Sequence, residues 1–312
     1  MENLILSINV VLPLFLTMSL GYLIKKMNMF NETTLKTMNS ITFKMFLPTL
    51  LFYNVYNTNL QTMFNPKLMV FTAISVIIIF SCLCFIIPLI EKDIQKQPVL
   101  IQAIFRSNFV IFGIPVTIAL FGEISTGVAS MLIAVIVPLF NILSVLVFEM
   151  FRGSKINFKN IIKGVISNPL IIASAIGLIC LLLKIKLPIP IEKTVSDISK
   201  IATPLALILL GGSFKFSALK GSFKQLMIAV IGRLIIVPGI FIPIAILLGF
   251  RDVELTCFLV ALASPTAVSS FTMAEQMKAD SELAGQIVVF TSGLSVISVF
   301  LWIFILKQLL FI

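Results

Sequence analysis

Long apolar runs, interrupted by short polar stretches, fill the chain from its first residues to its last. A helix that spans a bilayer needs about 20 predominantly apolar residues. Ten runs meet or approach that length, so we predict ten transmembrane helices. Their bounds are 4–23, 35–56, 68–90, 98–120, 128–151, 161–183, 195–214, 223–248, 255–277 and 283–306. The longest polar connection predicts a first half at residues 1–151, a short connector at 152–163 and a second half at 164–312.

The composition requires that the outer surface of the protein be apolar as well. Of the 312 residues, 59% are hydrophobic and only 12% are charged, whereas a typical soluble domain has about 25% charged residues. A single buried core cannot hold this excess. We therefore predict an all-α integral membrane protein that crosses the cell membrane several times and has the lipid bilayer as its immediate surroundings. A water-soluble enzyme and a secreted disulfide-linked domain are excluded.

The formal net charge of +10 has a simple interpretation in a membrane protein. In a soluble chain it would suggest nucleic acid as a partner, but here the basic residues stand in short runs between apolar segments, which is typical of cytoplasmic loops. We therefore expect no nucleic-acid partner. Lys and Arg dominate the loops that follow the odd-numbered helices. This distribution places both chain termini on the extracytoplasmic side.

Two similar motifs indicate an internal repeat. In helix two Pro48 follows Lys44 by four residues, and in helix seven Pro204 follows Lys200 by four. Because two runs of five helices start on opposite sides of the membrane, a duplicated five-helix unit is inverted in its second copy, as in many transporters. We predict two inverted five-helix repeats. Lys44 and Lys200 are either interfacial anchors or part of a binding site for an anion.

Helices four and nine carry proline near the middle, as Gly113-Ile114-Pro115 in one and Ser264-Pro265 in the other. Proline removes a main-chain hydrogen bond, and the freed group is costly in hydrocarbon. A kink is the simpler interpretation of a single proline, but the matched positions favour broken helices that cross at mid-membrane beside a cavity. The helix N-termini at such breaks favour anions.

Polar side chains near the breaks are candidates for a binding site. Asn108 lies two helical turns before Pro115, and Ser264 and Thr266 flank Pro265. A lone Ser or Thr usually bonds to a carbonyl of its own helix, whereas a buried Asn is more costly without a partner. Asn108 is therefore the stronger candidate.

The predicted crossing lacks the groups that several other activities need. The chain has no histidine and no Asp-rich motif, so we expect no metal or other cofactor, and cation–proton antiport is disfavoured. An intramembrane prenyl or acyl transferase would need acidic metal-binding motifs or a base that activates a nucleophile. A structural scaffold would leave the broken helices unexplained. Arg106 is expected at the cytoplasmic rim.

At these motifs the sequence resembles the auxin efflux carrier family, which includes the plant PIN-FORMED exporters and bacterial organic-acid permeases. The similar stretches are FLPTLLF at 46–52, NFVIFGIP at 108–115, NPL at 168–170, TPLALILLGGSF at 203–214 and ASPTAVSSFTMAEQM at 263–277. Their order and spacing cover nearly the whole chain. The short connector at 152–163 differs from the long central loop of many plant exporters, so a bacterial-type permease is the better comparison.

The resemblance implies a secondary transporter that moves small organic anions, such as malate, malonate or related carboxylates, by an elevator-type movement. Helices four and nine would cross in the moving domain, and family members often act as homodimers. Sodium- or proton-coupled symport of organic acids on a related inverted-repeat fold is the alternative. The candidate substrate-binding residues, from the motifs and the polar positions together, are Lys44, Leu47, Pro48, Asn108, Gly113, Pro115, Asn168, Lys200, Ser264, Pro265 and Thr266.

Overall fold

The helices of the computed structural model follow the apolar runs of the sequence. The structure describes residues 2–57, 65–122, 126–151, 158–214 and 221–312. In these ranges the α-helices are α1 (Glu2–Lys26), α2 (Glu32–Ile41), α3 (Leu47–Tyr56), α4 (Pro66–Ile90), α5 (Gln97–Phe105), α6 (Phe109–Phe121), α7 (Thr126–Met150), α8 (Phe158–Ile166), α9 (Pro169–Leu182), α10 (Ile189–Ser213), α11 (Phe223–Ile231), α12 (Val237–Leu247), α13 (Asp252–Ala263), α14 (Ser269–Gln276) and α15 (Ser281–Gln308). Two π-helical turns join neighbouring helices without a break, Thr42–Phe46 between α2 and α3 and Gly232–Ile236 between α11 and α12.

Several of the described helices are long and apolar enough to cross a membrane. They are α4, α7, α10, the continuous helix from α11 through α12, and α15. The shorter apolar helices α6 and α9 add to them. Large apolar side chains such as Phe85 and Leu247 are exposed on the outside of the bundle, which suits a surface in contact with lipid tails. The all-helical fold is thereby confirmed, with several helices of membrane-spanning length and composition.

Side-chain caps fix where several helices begin. The side-chain oxygens of Asn31, Asn65, Asn168 and Asp280 accept hydrogen bonds from main-chain N–H groups in the first turns of α2, α4, α9 and α15, at distances from 2.7 to 3.0 Å. Such caps satisfy N–H groups that have no partner inside the helix. The polar residues between the apolar runs therefore determine the starting points of these helices.

The predicted segment 98–120 is interrupted, but not at its proline. Since α5 ends at Phe105 and α6 begins at Phe109, the break lies at residues 106–108. Pro115 lies inside α6, and its side chain is exposed. The prediction of a break at Gly113-Ile114-Pro115 is wrong, because the loss of one hydrogen bond at a proline kinks a helix without having to end it. The break forms instead where main-chain groups find partners on a second extended segment.

The predicted segment 255–277 is interrupted at its proline. Residues 264–268, which include Pro265, join the end of α13 at Ala263 to the start of α14 at Ser269. Every residue of α5 is buried, and so is the stretch of α13 from Leu255 onwards. Both breaks therefore lie in the interior of the helix bundle.

The helices pack in two groups. In the first group α1 packs against α10, and α3 packs against α9 and α10, while the second group contains α4–α7 and α11–α15. The α1–α10 contact is especially close, because a Cβ atom added at Gly21 would overlap the Ile208 carbonyl oxygen, and one added at Gly211 would overlap the Met18 carbonyl oxygen. Small residues allow helices in membranes to approach in this way. Contacts of α1 with α15 and of α3 with α7 join the two groups.

Candidate functional site

The two helix breaks pair with each other through their main chains. Ser107 and Thr266 form an antiparallel bridge, and the Asn108 N–H donates to the Pro265 carbonyl oxygen at 2.8 Å. The Thr266 hydroxyl donates to the Ala103 carbonyl oxygen at 2.9 Å. Main-chain groups that leave helical geometry inside a membrane must find such partners. The crossing is thus a defined structure that holds the ends of α5, α6, α13 and α14 together.

A small cavity of about 90 Å³ lies beside the crossing. Its apolar walls come from both helix groups and include Leu47, Leu50, Leu51, Val110, Ile111, Val137, Phe140, Leu170, Ala206, Ala267 and Val268. Its polar lining consists of Arg106, Ser107, Asn108 and Ser269 from the breaks, with Asn54, Asn141 and Thr203 from α3, α7 and α10. Among the described residues, no Asp or Glu lines this cavity.

Arg106 brings a positive charge to this cavity. Its side chain is only 5% exposed. The Nη2 atom donates to Asn141 Oδ1 and to Ser269 Oγ, both at 2.9 Å. The Nη1 atom donates to Ser144 Oγ at 3.2 Å and contacts Met273 Sδ at 2.6 Å. All four partners are uncharged.

Arg106 has no counter-ion in the described part of the chain, where the ion pairs join Lys96 to Asp93 and Lys200 to Asp197. The prediction that Arg106 lies at the cytoplasmic rim is wrong, because the break after α5 places it inside the helix packing. A buried cation with only neutral partners is unfavourable. A bound anion would supply the missing negative charge.

Two amide groups beside Arg106 have free donors. The Nδ2 atoms of Asn108 and Asn141 are buried and have no hydrogen-bond partner among the described residues, and the Ser107 hydroxyl is in the same state. A buried polar group left without a partner costs about 1–3 kcal/mol, so native structures rarely keep one without water or a ligand. Both amides line the cavity, where a carboxylate would accept hydrogen bonds from them.

Two helices also begin at the cavity. α6 starts directly after Asn108, and α14 starts directly after Val268; both of these residues line the cavity. The first N–H groups of a helix have no partner inside it and carry a partial positive charge, which makes helix N-termini common anion sites. Together with the guanidinium of Arg106, which can bind a carboxylate through two parallel hydrogen bonds, they make the cavity suitable for an organic anion.

The structure brings some of the candidate residues from the sequence to this place. Leu47 and Asn108 line the cavity. Ser264, Pro265 and Thr266 form the crossing beside it, and their side chains do not line it. The Ser264 side chain is buried, and its hydroxyl has no partner among the described residues.

Other candidates lie near the cavity, and Pro48, Pro115 and Asn168 do not line it. Gly113 and Pro115 are in α6, beyond its first turn. Pro48 follows Leu47 at the start of α3. The Asn168 side chain is occupied as the cap of α9, where its Oδ1 atom accepts from the Leu170 N–H at 2.9 Å. Their predicted roles in substrate binding remain predictions.

The two lysines of the predicted repeat are exposed and do not line the cavity. Lys44 lies in the π-helical turn before α3. Lys200 donates to Asp197 at 3.0 Å, and the side chains of both partners are more than half exposed. In this structure neither lysine supplies positive charge to the crossing.

The sequence did not predict that Arg106, Asn141 and Ser269 form one polar cluster beside the cavity. A signal for Arg106 was present, because it lies eight residues after the start of the segment 98–120. At 1.5 Å per residue this corresponds to a depth of about 12 Å, which is too deep for a rim position. Nothing in the sequence places Asn141, on another helix, beside it.

A larger cavity of about 450 Å³ opens at the end of the molecule where α1 and α10 end and α15 begins. Its charged lining is mixed, with Lys25, Lys26, Lys36, Glu32, Glu275 and Glu282. Asn39 and Gln286 are buried in its lining and have amide atoms without a partner in the described residues. The mixture of charges gives this cavity no preference for one sign of ligand.

The fold and the cavity define a class of protein, a helical membrane protein with several crossings and a positively charged pocket at the meeting of two broken helices. Residues 6–303 match the family described as membrane transport protein. The chain belongs to this family, and the resemblance to the auxin efflux carriers is confirmed over nearly its whole length. It is a membrane transporter and not an enzyme.

Two archaeal relatives match almost end to end. An uncharacterized transporter of Methanocaldococcus jannaschii is 24% identical over 311 residues, which cover 96% of this chain and 99% of the relative. An uncharacterized transporter of Methanothermobacter thermautotrophicus is 24% identical over 309 residues, which cover 95% of this chain and 97% of the relative. The similarity therefore extends over the whole transporter rather than over one motif.

Proposed function

We propose that this protein is a secondary transporter of small organic anions, which bind as carboxylates in the cavity beside the crossing. The observation that carries the proposal is the buried guanidinium of Arg106, which lines the cavity and has only uncharged partners. A substrate carboxylate would neutralise it. The free Nδ2 donors of Asn108 and Asn141 would complete the binding of the carboxylate oxygens.

The cavity also limits the size of the substrate. Its volume is about 90 Å³. Such a space suits an acid with a short carbon chain, of the size of malonate or malate, better than a large aromatic acid. Leu47, Leu50 and Val137 offer apolar contacts for the carbon chain.

We further propose the finer architecture, with ten membrane crossings arranged as two inverted five-helix repeats. The breaks support it, because they fall in the fourth and ninth predicted segments and pair in antiparallel orientation. The basic loops support an orientation with both termini outside the cytoplasm. Homodimer formation is proposed from the family resemblance alone.

We propose an elevator-type mechanism, in which the helix group with the crossing moves against the group formed by α1, α3, α9 and α10. The cavity lies between the two groups, with Leu47 and Thr203 on one side and Arg106 on the other. A substrate bound there would be covered by one group and carried by the other. Since Arg106 travels with the crossing in both loaded and empty states, each monovalent anion carried would move net charge.

Sodium- or proton-coupled symport is the second candidate. The unpartnered Ser264 hydroxyl beside the crossing favours it, since hydroxyl oxygens are sodium ligands. Against it, no carboxylate among the described residues lines the cavity to take up a proton or a cation.

Charge movement on a solid-supported membrane tests the proposal. Proteoliposomes would receive pulses of acetate, malonate, malate and indole-3-acetate without a sodium or pH gradient. We expect currents from the small carboxylates, their loss in Arg106→Gln, and their retention in Lys200→Gln, which removes an exposed cation outside the cavity. Equal currents from the wild type and Arg106→Gln would contradict the assigned site, and currents that require a sodium gradient would favour symport.

A further inference from the structure

A second arginine is fully enclosed at the crossing. Arg233 lies in the π-helical turn Gly232–Ile236 between α11 and α12, and its side chain is 0% exposed. It does not line the substrate cavity. Single π-helical turns inside α-helices are frequently found at functional sites.

All observed hydrogen bonds of this guanidinium go to main-chain carbonyl oxygens. Nε donates to Ser264 at 2.8 Å, Nη1 to Ile104 at 2.9 Å and Phe105 at 3.2 Å, and Nη2 to Ala261 at 3.1 Å. Two of these carbonyls belong to the last residues of α5, and the other two lie at the end of α13. The ends of both broken helices therefore converge on one cation.

These carbonyls need a cation because the helix breaks leave them without partners. The last carbonyls of a helix have no N–H partner within it and carry a partial negative charge. Pro265 has no N–H for the Ala261 carbonyl, and the Asn108 N–H, which would serve Ile104 in a continuous helix, donates to Pro265 instead. In transporters with broken helices, such carbonyls and helix C-termini commonly bind Na⁺.

We propose that Arg233 is a tethered cation that occupies the place of a coupling ion at the crossing, so that this transporter holds its broken helices together without sodium. Removal of the side chain would leave a cation site formed by the same carbonyls. Arg233 is thus a positioning residue, which acts on substrate binding only by fixing the crossing. The proposal goes beyond the identity of the substrate and does not depend on it.

Arg251 offers a matched control. It also donates to two main-chain carbonyls, those of Ile246 at 2.8 Å and Phe250 at 2.7 Å, but it is exposed and lies at the edge between α12 and α13. Since the Arg251 side chain is exposed, water can reach its guanidinium and replace these hydrogen bonds. An added cation should therefore have little effect on a variant at this position.

Thermal unfolding of purified protein tests the proposal without any substrate. Arg233→Ala, Arg251→Ala and the wild type would be compared in equal, millimolar concentrations of guanidinium, sodium and N-methylglucamine chloride. We expect guanidinium to raise the Tm of Arg233→Ala by roughly 3 °C or more relative to N-methylglucamine, through binding to the folded state. The wild type and Arg251→Ala should show no such rise, and sodium should not stabilise the wild type. An equal response of both alanine variants, or stabilisation of the wild type by sodium, would overturn the proposal.

If Arg233→Ala does not yield folded protein, two variants with longer side chains can test whether the positive charge is needed. Arg233→Lys retains a positive charge within reach of some of the carbonyls, whereas Arg233→Met fills a similar volume without charge. We expect the Tm of Arg233→Lys to stay well above that of Arg233→Met. Equal Tm values of the two variants would show that the charge is not needed, and would overturn the proposal as well.

Discussion

Two buried arginines at the helix crossing differ in the kind of partner they have. Arg106 donates to side chains, which are the Asn141 amide and the Ser144 and Ser269 hydroxyls. Arg233 donates to four main-chain carbonyls at helix ends. Helix C-termini carry negative charge and neutral side chains do not, so the charge of Arg233 is balanced and the charge of Arg106 is left for a ligand.

Residue type alone therefore does not define the role of a buried arginine. Side-chain partners can rotate and exchange with a substrate, whereas main-chain carbonyls at a helix end are fixed by the fold. A cation next to a cavity and with exchangeable partners is suited to binding and release. An enclosed cation with fixed partners is suited to permanent assembly of the structure. Burial alone does not distinguish the two arginines.

Matched substitutions of the two arginines should differ strongly in their effect on stability. Arg233→Met leaves four carbonyls without a partner, at about 1–3 kcal/mol each, and should lower Tm by on the order of 10 °C. Arg106→Met removes a buried charge that lacks a counter-ion and should leave Tm within about 3 °C of the wild type. Differential scanning fluorimetry in one detergent checks both. A similar loss of Tm in both variants would remove the distinction between the two arginines.

The next effect concerns Asn141, which holds Arg106 and also presents a free donor to the cavity. Asn141→Ala should raise the half-saturating concentration of malonate in transport by on the order of 10- to 100-fold, since it removes one hydrogen bond to a charged group and one to the substrate. Ser144→Ala, which removes the more distant partner of Arg106, is the control and should have a smaller effect. Equal effects of the two variants would argue against direct contact between Asn141 and the substrate.

A smaller effect is expected from the exposed cations. Lys44 and Lys200 lie outside the cavity, so Lys44→Gln and Lys200→Gln should each change the transport rate by less than about two-fold. Rates measured at saturating malonate, normalised to inserted protein, provide the check. A loss of transport rate comparable to that of a cavity variant would indicate that these lysines belong to the binding site, as the sequence motifs predict.

A still smaller effect is expected from Glu91, an acidic residue that directly follows α4, just outside the membrane span. Burial would raise the pKa of Glu91, but hydrogen bonds from the Asp93 and Lys92 N–H groups and from the Gln225 side chain, with the charge of Lys96, bring the pKa below its ordinary value. A lowered pKa stabilises the folded state at pH values above the ordinary pKa, and this contribution disappears as pH falls through the lowered value.

The difference in Tm between the wild type and Glu91→Gln should therefore be constant well above the ordinary pKa of a glutamate and should shrink as the pH falls through the lowered pKa. Gln225→Ala, which removes one of the donors, should shift this loss to a higher pH. A difference in Tm that does not depend on pH would mean that the charge of Glu91 contributes nothing.

Much of the fold could be predicted because apolar runs of membrane length are a strong local signal. The interruption at Pro265 was predictable from another local signal, the proline itself, which removes a main-chain hydrogen bond. The interruption at residues 106–108 was not, because it depends on the pairing of Asn108 with Pro265, two residues far apart in the chain. The proline rule pointed to Pro115 instead.

The candidate site was predictable only in part, and for a related reason. Asn108 stands out as an amide inside an apolar run. Arg106 and Arg233 look alike in the sequence, as single arginines within apolar segments. Their partners come from other helices, so their different environments are visible only in the folded chain.

Isothermal titration calorimetry of malonate and malate with purified protein tests the claim that Arg106 balances the charge of the substrate. The wild type, Arg106→Gln and Arg233→Lys would be titrated in sodium-free buffer. We predict that a carboxylate which binds the wild type binds Arg233→Lys with similar affinity and Arg106→Gln at least about 30-fold more weakly, because truncation of a buried charge partner costs about 2–5 kcal/mol. Undiminished binding to a folded Arg106→Gln protein would contradict the claim.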